Sequence, residues 1–218
     1  MAFAEGLAKG EDGVIRCSWA GEDELYRAYH DREWGRPIRD DRTLFELLTL
    51  EAFQSGLSWL TILRKRDSFR EAFSGFAIEE IARYRPTDID RLLGDTGIVR
   101  NRAKILATIN NAQRYEALAL EFGGLGGFVW SYEPPDDARP AKVTWKALMA
   151  VSATPASTAL SKDLKRRGWA FVGPTTAYSF MQSAGLVNDH ITGCPQRESC
   201  ERARRAFKRP TRKREPPL

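Results

Sequence analysis

The stretch DDRTLFELLTLEAFQSGLSWLTIL, residues 40–63, contains the clearest helical pattern of the sequence. Leu44, Leu47 and Leu48 recur at the spacing that places side chains on one face of a helix, and acidic residues precede them in the first turn. A glycine-containing turn follows at residues 54–58, and a second apolar helical segment begins after it. The stretch therefore predicts two consecutive helices joined by a tight turn.

Helical spacing also dominates the rest of the chain, whereas strand signals are nearly absent. No alternating apolar and polar run persists, and no Asn-Gly hairpin turn occurs. The predicted fold class is therefore all-α. The predicted helices cover residues 22–32, 40–53, 58–73, 78–84, 87–93, about 101–120, 157–167 and 175–184.

The composition is that of a folded globular protein, since 42% of the 218 residues are hydrophobic, 11% aromatic and 29% charged. No apolar run approaches the roughly 20 residues that span a bilayer. The N-terminal residues lack the basic and apolar segments of a secretory signal. We therefore expect a cytoplasmic protein that does not bind a membrane, folded as one domain or as two halves that share a core.

The excess positive charge lies at the C-terminal end. Residues 201–218 hold eight Lys/Arg and two Glu, a net charge of +6, which leaves −1 for residues 1–200 out of the total of +5. Such a segment offers little to bury, so we expect a disordered basic tail that contacts nucleic acid or only aids solubility. The chain then divides into an N-terminal extension (1–16), a globular domain (17–200) and this tail.

Two of the three cysteines lie near the only two histidines in a pattern that suits a metal ion. Cys17 precedes His30 by 13 positions, and His190 precedes Cys194 by 4, about one helical turn. Two thiolates and two imidazoles are a donor set that structural zinc favours. The alternative is two buried cysteines and two ordinary histidines, and the spacing alone leaves both open. We expect the remaining Cys200 to be a free surface thiol.

A carboxylate and a cluster of aromatic residues together indicate a binding slot. Glu51 continues the apolar stripe of the first helix, so its side chain points toward the core, where an unpaired carboxylate is costly. Flat rings with one buried acceptor suit a planar polar heterocycle such as a nucleobase. The alternative is that the rings only build the core. The aromatic residues are Trp19, Tyr26, Tyr29, Trp34, Phe45, Phe53 and Trp59.

Residues 92–105, LLGDTGIVRNRAKI, predict a helix, a tight turn at Gly97 and a second helix that opens with basic residues. Backbone N–H groups at such a helix start can bind a phosphate oxygen. The pattern resembles a helix-hairpin-helix element, which grips the DNA backbone without reading its sequence. Ile98-Val99 stands where the hairpin usually has a second glycine, so an ordinary connection between two helices is the alternative.

Six stretches of the sequence carry a family resemblance. They are CSWAGEDELYRAYHDREWGRP (17–37), LFELLTLEAFQSGLSWLTILRKR (44–66), GIVRNRAKI (97–105), FVWS (128–131), LSKDLKRRGWAFVGPTTAYSFMQSAGLVNDH (160–190) and HITGC (190–194). Together they resemble the bacterial 3-methyladenine DNA glycosylases of type I, the constitutive kind, within the helix-hairpin-helix glycosylase superfamily. The resemblance spans almost all of residues 17–194.

The resemblance implies a two-lobed, all-helical glycosylase fold in which one structural zinc ion joins the terminal segments. It also implies a base pocket around a catalytic Glu51. Phe53 stands where the family often has a polar Gln, and we expect it to reshape the pocket floor. The implied zinc ligands are Cys17, His30, His190 and Cys194. The implied pocket residues are Trp19, Tyr26, Tyr29, Trp34 and Trp59. The expected DNA contacts are Gly56, Leu57, Gly97, Ile98, Arg100, Arg102 and Lys104.

The activity that the resemblance implies is hydrolytic base-excision repair. A monomeric enzyme would flip 3-methyladenine out of double-stranded alkylated DNA, release the free base and leave an abasic site. No lysine stands out as a Schiff-base nucleophile, so we expect no strand-cleaving lyase activity. The competing interpretation is a zinc-stapled helical DNA-binding module without chemistry, which leaves the carboxylate on an apolar stripe unexplained.

Overall fold

The computed structural model describes residues 4–140 and 142–210 of the chain. Over these residues the chain forms twelve α-helices, three short 3-10 turns and one two-stranded sheet, so the all-α prediction is confirmed. None of the described helices is both long and apolar enough to cross a membrane. The helices are α1 (Glu24–Arg32), α2 (Asp41–Gln54), α3 (Trp59–Arg64), α4 (Arg66–Ala72), α5 (Ile78–Ile81), α6 (Pro86–Gly94), α7 (Arg102–Phe122), α8 (Leu125–Trp130), α9 (Trp145–Met149), α10 (Pro155–Arg166), α11 (Pro174–Ser183) and α12 (Pro195–Ala206).

Helix α2 lies at the centre of the fold. Asp40 caps its N-terminus, because the Asp40 carboxylate accepts a hydrogen bond from Thr43 N at 2.8 Å. All residues from Leu47 to Phe53 are buried, and α11, α3, α8 and α7 pack around the helix. This burial on every face carries Glu51 into the interior of the protein.

The turn after α2 has the geometry that its sequence predicts. Gly56 adopts a φ of +84°, a left-handed conformation that residues with a Cβ rarely adopt. Ser58 then caps α3, since its hydroxyl accepts a hydrogen bond from Thr61 N at 3.2 Å. The turn reverses the chain and brings Trp59 back toward α2.

The helix predicted over residues 58–73 is instead two helices, α3 and α4. The chain bends between them at Lys65, which has φ −103° and ψ 0°. The Lys65 ammonium donates hydrogen bonds to the backbone oxygens of Thr96 and Gly97, each at 3.1 Å. The bend therefore connects this part of the chain to the turn before α7, a long-range contact that local periodicity does not reveal.

The two lobes come from different parts of the chain. One includes α5, α6 and α8, which pack on α7, and the other includes α10, which packs on α11. Helix α2 contacts α3, α7, α8 and α11. A core rich in phenylalanine runs through the fold. The Phe53 ring is fully buried in it, with its centroid 4.8 Å from that of Phe69 and 6.0 Å from that of Phe73. The expectation that Phe53 shapes the pocket floor is therefore wrong.

Residues 4–16 are part of the folded protein rather than a separate extension. Strands β1 (Leu7–Lys9) and β2 (Ile15–Cys17) pair antiparallel, with Leu7 opposite Cys17. Sequence periodicity misses this hairpin because three residues per strand are too few to show alternation, and it misses the short helices α8 and α9 for the same reason. The hairpin fixes the position of Cys17.

The prediction of a disordered tail is wrong for residues 201–206, which belong to α12. Arg204 on this helix is 3% exposed and donates a hydrogen bond to the carboxylate of Glu133, which also binds Arg209 Nε at 2.8 Å. Composition alone misses this order because the partner of these two cations lies far away in sequence. Residues 207–210 follow α12 without helical structure, and residues 211–218, the last part of the predicted tail, lie outside the described residues.

Candidate functional site

The four predicted metal ligands meet at one buried point. Cys17 ends β2, His30 lies in α1, and His190 and Cys194 lie in the segment that leads into α12. Their ligand atoms all lie within 4.8 Å of one another, and all four residues are buried. The N- and C-terminal segments of the chain therefore join at this cluster.

The distances in the cluster fit a tetrahedral metal site. Cys194 Sγ lies 3.7 Å from His30 Nε2 and 3.7 Å from His190 Nδ1. Cys17 Sγ lies 3.8 Å from the same His190 nitrogen. Around a tetrahedral zinc ion, with bonds of about 2.3 Å to sulfur and about 2.0 Å to nitrogen, neighbouring S and N ligands are about 3.5 Å apart. The cluster could therefore hold a metal ion with four protein ligands.

Hydrogen bonds outside the cluster orient both imidazoles. Asp31 accepts a hydrogen bond from His30 Nδ1 at 2.8 Å, and Trp34 O accepts one from His190 Nε2 at 3.1 Å. These bonds leave His30 Nε2 and His190 Nδ1 facing the cluster, which is the arrangement that metal-binding histidines require. Arg16 in turn holds Asp31, with its Nε 3.0 Å from the carboxylate.

Cys200 is not the surface thiol that we expected. Its side chain is 1% exposed on the inner face of α12, and its sulfur donates a hydrogen bond to Trp34 O at 3.6 Å. Burial raises the pKa of the Cys200 thiol to about 11. The residue is a buried thiol outside the four-ligand cluster.

A cavity of about 400 Å³ brings the predicted pocket residues together. Two of its aromatic walls also pack on the cluster, since the Trp19 ring lies 5.1 Å from that of His30 and the Trp34 ring 4.6 Å from that of His190. The cavity and the cluster are therefore built on shared side chains. The lining residues from the N-terminal part of the chain are Trp19, Tyr26, Tyr29, Trp34, Glu51, Gln54 and Trp59.

The aromatic walls supply ring faces and a hydrogen-bond donor. The ring centroids of Tyr29 and Trp59 are 5.4 Å apart, and those of Trp19 and Tyr26 are 5.1 Å apart. The indole N–H of Trp59 is buried and has no acceptor among the described residues. An unpaired buried donor is unfavourable, and this one belongs to a residue of the cavity wall.

Glu51 is the one carboxylate among the described residues that line the cavity. Its side chain is 5% exposed and accepts a hydrogen bond from Ser183 Oγ at 3.1 Å. Burial raises the pKa of Glu51 to about 8, although the hydrogen bond from Ser183 acts in the opposite direction. No arginine or lysine lines the described part of the cavity, so no cation of the wall compensates this carboxylate. A buried carboxylate of this kind indicates a functional site.

Helices α9 and α11, with the residues after α9, supply a wall of the cavity that the sequence patterns did not identify. A signal for part of it exists, because Thr175, Ser179 and Gln182 lie at i, i+4 and i+7 on α11 and form a polar row in a largely apolar helix. The lining residues from this half of the chain are Trp145, Leu148, Met149, Val151, Ser152, Thr175, Tyr178, Ser179 and Gln182.

A larger cavity of about 690 Å³ adjoins the first and shares Leu148, Val151 and Tyr178 with it. It lies under the proline-rich residues 131–140. None of the carboxylates among its described lining residues is buried. The chemistry therefore favours the smaller cavity as the candidate site.

The predicted hairpin turn lies between α6 and α7. Gly97 N donates a hydrogen bond to Asp95 Oδ1 at 2.7 Å, so this amide is already satisfied, and the Ile98 side chain is 2% exposed. Arg100 and Arg102 are both exposed at the start of α7. Of the predicted DNA contacts in the turn, the two arginines are the side chains that face solvent.

The structure contradicts the expectation that Lys104 contacts DNA. Its side chain is 6% exposed, and its ammonium donates hydrogen bonds to Phe53 O at 2.8 Å and Ser55 O at 2.7 Å. The ammonium of Lys104 is therefore already hydrogen-bonded to the carbonyl groups at the end of α2. The turn that follows remains accessible, since Leu57 is 42% exposed and the space around Gly56 is open.

The pKa of Glu51 predicts how the stability of the fold depends on pH. A carboxyl group with a pKa of about 8 in the folded protein, against 4.5 when unperturbed, binds more protons in the folded than in the unfolded state between these values. The free energy of unfolding therefore falls as the pH rises through this window. Glu51→Gln removes the titration, and we expect it to be more stable than the parent at pH 8 by on the order of 4 kcal/mol.

Denaturant unfolding at several pH values between 5 and 8 measures this difference. Glu46→Gln is the matched control, because Glu46 lies on the same helix but pairs with Arg70 at 2.8 Å. This control should keep the pH dependence of the parent. Equal pH dependence in the parent and in Glu51→Gln would contradict the raised pKa.

Comparison with known proteins gives a consistent result. Residues 19–198 match the family model described as methyladenine glycosylase. A DNA-3-methyladenine glycosylase of Haemophilus influenzae is 44% identical over 187 residues, which cover 85% of this chain and 100% of that protein. A crystal structure of 3-methyladenine DNA glycosylase I (TAG) is similar with a TM-score of 0.75 and 48% identity, covering 83% of this chain and 98% of that one.

A second crystal structure, of a variant of 3-methyladenine DNA glycosylase I in complex with 3-methyladenine, has a TM-score of 0.73 and 37% identity. That match covers 84% of this chain and 97% of the other. Since the family model and the relatives each match most of the chain, the protein belongs to the methyladenine glycosylase family.

Proposed function

We propose that this protein removes 3-methyladenine from alkylated double-stranded DNA by hydrolysis of the glycosidic bond. The observation that carries the proposal is the buried carboxylate of Glu51, which lines an aromatic cavity without a cation beside it in the described wall. The similar proteins support it, because the Haemophilus influenzae relative is named for this base and one related structure contains 3-methyladenine.

The charge of the damaged base accounts for the chemistry of the cavity. Methylation of adenine at the ring nitrogen beside the sugar makes the base cationic, and both a carboxylate and aromatic faces favour a cation. The aromatic faces contribute about 0.5–2 kcal/mol in a dry site. We assign Glu51 as the acceptor of a hydrogen bond from the exocyclic amine. Neutral adenine lacks the charge and gains less from the same contacts.

The protonation of Glu51 is coupled to the arrival of this base. With a pKa of about 8, Glu51 is mostly protonated at pH 7 in the empty cavity. A cationic base favours the carboxylate form, so binding lowers the pKa of Glu51 and releases its proton. Because kcat/KM reports the free enzyme, it should rise with pH through the pKa of Glu51.

Hydrolysis is the step that the cavity favours once the base is bound. Unstacking costs a few kcal/mol and least for a damaged base, so selection begins before the base reaches Glu51. The glycosidic bond breaks with its electron pair on the methylated base, which leaves as a neutral molecule. Water then adds to the cationic sugar and loses one proton to solvent. No lysine is among the described lining residues, which supports a reaction without a Schiff base and without strand cleavage. A DNA-binding module without chemistry does not account for the buried Glu51.

The proposed DNA contacts lie on the hairpin turn and on the turn after α2. Arg100 and Arg102 stand at the start of α7, where the helix dipole favours a phosphate group. Lys104 ties these two turns together through its bonds to Phe53 O and Ser55 O. The proposed contact set is Gly56, Leu57, the backbone of Ile98, Arg100 and Arg102. Gly97 is left out because Asp95 occupies its amide and Lys65 its carbonyl oxygen.

The proposed metal at the four-ligand cluster is zinc, in a structural role. Two thiolates and two imidazoles in a closed tetrahedron leave no position for water. When bound, the ion would supply cohesion between the terminal segments, while the chemistry of the reaction stays in the cavity. The residues that would hold it are Cys17, His30, His190 and Cys194.

The first test of the function is release of 3-methyladenine and 7-methylguanine from methylated duplex DNA, measured in parallel by chromatography. The parent should release 3-methyladenine, and Glu51→Gln should lower kcat/KM by roughly 10²–10³-fold because a neutral amide does not stabilise the cationic base. Glu46→Gln should keep the parent rate. Release by Glu51→Gln at the parent rate would remove the proposed role of Glu51, and no release by the parent would overturn the function.

The second test concerns the arginines at the start of α7. Each phosphate contact contributes about 0.9 to the slope of log affinity against log salt concentration. Arg100→Ala and Arg102→Ala should each make this slope shallower by roughly that amount for undamaged duplex. Arg114→Ala, which removes an equal exposed charge from α7 about three turns away from Arg102, is the control. An equal decrease of this slope in all three variants would show that the net charge of the protein, rather than the hairpin turn, governs DNA binding.

The third test is the metal content. Elemental analysis of protein purified without chelator should find one zinc ion per chain. Cys194→Ala should lose the zinc and lower the free energy of unfolding by a few kcal/mol, because the binding energy of a structural metal is folding energy. Cys200→Ala, a change at the buried cysteine outside the cluster, should retain the zinc. Full zinc occupancy in Cys194→Ala would contradict the assigned ligands.

A further inference from the structure

Ser183, at the C-terminal end of α11, faces Glu51 across the contact between α11 and α2. Its side chain is 2% exposed, and its hydroxyl lies 3.1 Å from Glu51 Oε1. Among the described residues this hydroxyl is the one hydrogen-bond partner of the Glu51 carboxylate. The second oxygen, Oε2, accepts no bond from the described residues and is therefore the oxygen left for a ligand.

The position of Ser183 allows it to bond Glu51 in both protonation states. Its single proton has three acceptors in reach, namely Glu51 Oε1 and the carbonyl oxygens of Ser179 at 3.0 Å and Phe180 at 3.2 Å. When Glu51 is ionised, the hydroxyl donates to it. When Glu51 is protonated, the hydroxyl can donate to Ser179 O and accept the carboxyl proton on Oγ. One fixed group thus serves the carboxyl before and after it loses its proton.

We propose that Ser183 is a positioning residue for the base-binding reaction, because its hydroxyl holds Glu51 Oε1 and so presents Oε2 to the base in the cavity. This inference rests on the proposed function and adds to it the residue that orients the carboxylate. Ser183 acts through Glu51, since it is not among the residues that line the cavity.

The surroundings of Glu51 leave this role to Ser183. Tyr26 and Tyr29 approach from α1, and burial together with the negative charge of Glu51 raises the pKa of both phenols. The charged groups of the neighbouring elements have partners of their own: Glu33 pairs with Arg66, and the ammonium of Lys104 binds carbonyl oxygens. The remaining titratable group of the cavity wall is Tyr178, whose hydroxyl donates to Asp189 at 2.6 Å.

Removal of the hydroxyl should therefore act on the titration of Glu51. The hydrogen bond from Ser183 lowers the pKa of Glu51, so its loss in Ser183→Ala should raise that pKa further. We expect the midpoint to move up by about one pH unit. The rise of kcat/KM with pH should move by the same amount, so that the rate at pH 7 falls about tenfold and recovers partly at higher pH.

The experiment has two independent measurements on the full chain. The first is an NMR titration of the Glu51 side-chain carboxyl carbon, assigned by its absence in Glu51→Gln, and it requires no activity. The second is the pH profile of kcat/KM for release of 3-methyladenine. Ser183→Thr, which keeps the hydroxyl, should restore both. Ser161→Ala is the matched control. Ser161 is a buried serine of α10, and its hydroxyl donates a hydrogen bond to Val172 O at 2.6 Å.

An unchanged Glu51 midpoint in Ser183→Ala would overturn the positioning role, as would an equal shift in Ser161→Ala. If Ser183→Ala does not fold, Ser183→Cys, which has a weaker donor of similar size, should show a smaller shift in the same direction. A parent without base release would overturn the proposed function while the NMR titration still decides the role of Ser183.

Discussion

The contact between the two ends of the chain is the constraint on which the rest of the structure depends. Cys17 and His30 come from the first elements of the fold, and His190 and Cys194 from the last described turns before α12. Trp19 and Trp34 pack on the two imidazoles and at the same time form walls of the cavity. The same side chains therefore contribute to the contact between the two ends of the chain and to the shape of the candidate site.

Buried charges in this protein fall into two groups with different physical logic. Arg204, Lys104 and Glu51 are buried to a similar degree, but Arg204 and Lys104 each have oxygen acceptors within hydrogen-bond distance. Their burial is compensated inside the fold, so they serve the structure. Glu51 has one neutral hydroxyl and no cation beside it among the described residues, and burial raises its pKa. The incomplete compensation of this single group is what separates a binding site from a structural contact.

The sequence predicts those features that depend on local pattern or on residue chemistry. The stripe that carries Glu51, the turn at Gly56 and the cap at Ser58 are all encoded within a few residues of each other. The grouping of the four metal-type ligands is anticipated from residue type and family resemblance. In these cases the information lies in spacing, which the folded chain preserves.

The features that the sequence does not reveal depend on partners that are distant along the chain. From its neighbours in sequence, Lys104 is predicted to bind DNA. In the folded chain, its ammonium instead binds the carbonyl groups at the end of α2. In the sequence, Arg204 is part of a basic segment that predicts disorder. In the folded chain, its guanidinium binds the carboxylate of Glu133. The polar row on α11 is visible in the sequence, but its place in the cavity wall follows only once α2 and α11 are packed together. The role of each of these residues depends on its tertiary contacts and not on the local composition of the sequence.

The bond between Lys104 and the end of α2 also has a geometric consequence. Its acceptor Phe53 O lies two residues beyond Glu51, while Lys104 itself lies in the first turn of α7, next to the hairpin. The proposed contacts with the DNA backbone and the proposed acceptor for the base are therefore linked through the side chain of Lys104. In the proposed complex this link sets the distance between the phosphate groups at the start of α7 and Glu51. The stretch of backbone that is bound therefore determines which nucleotide lies opposite the cavity.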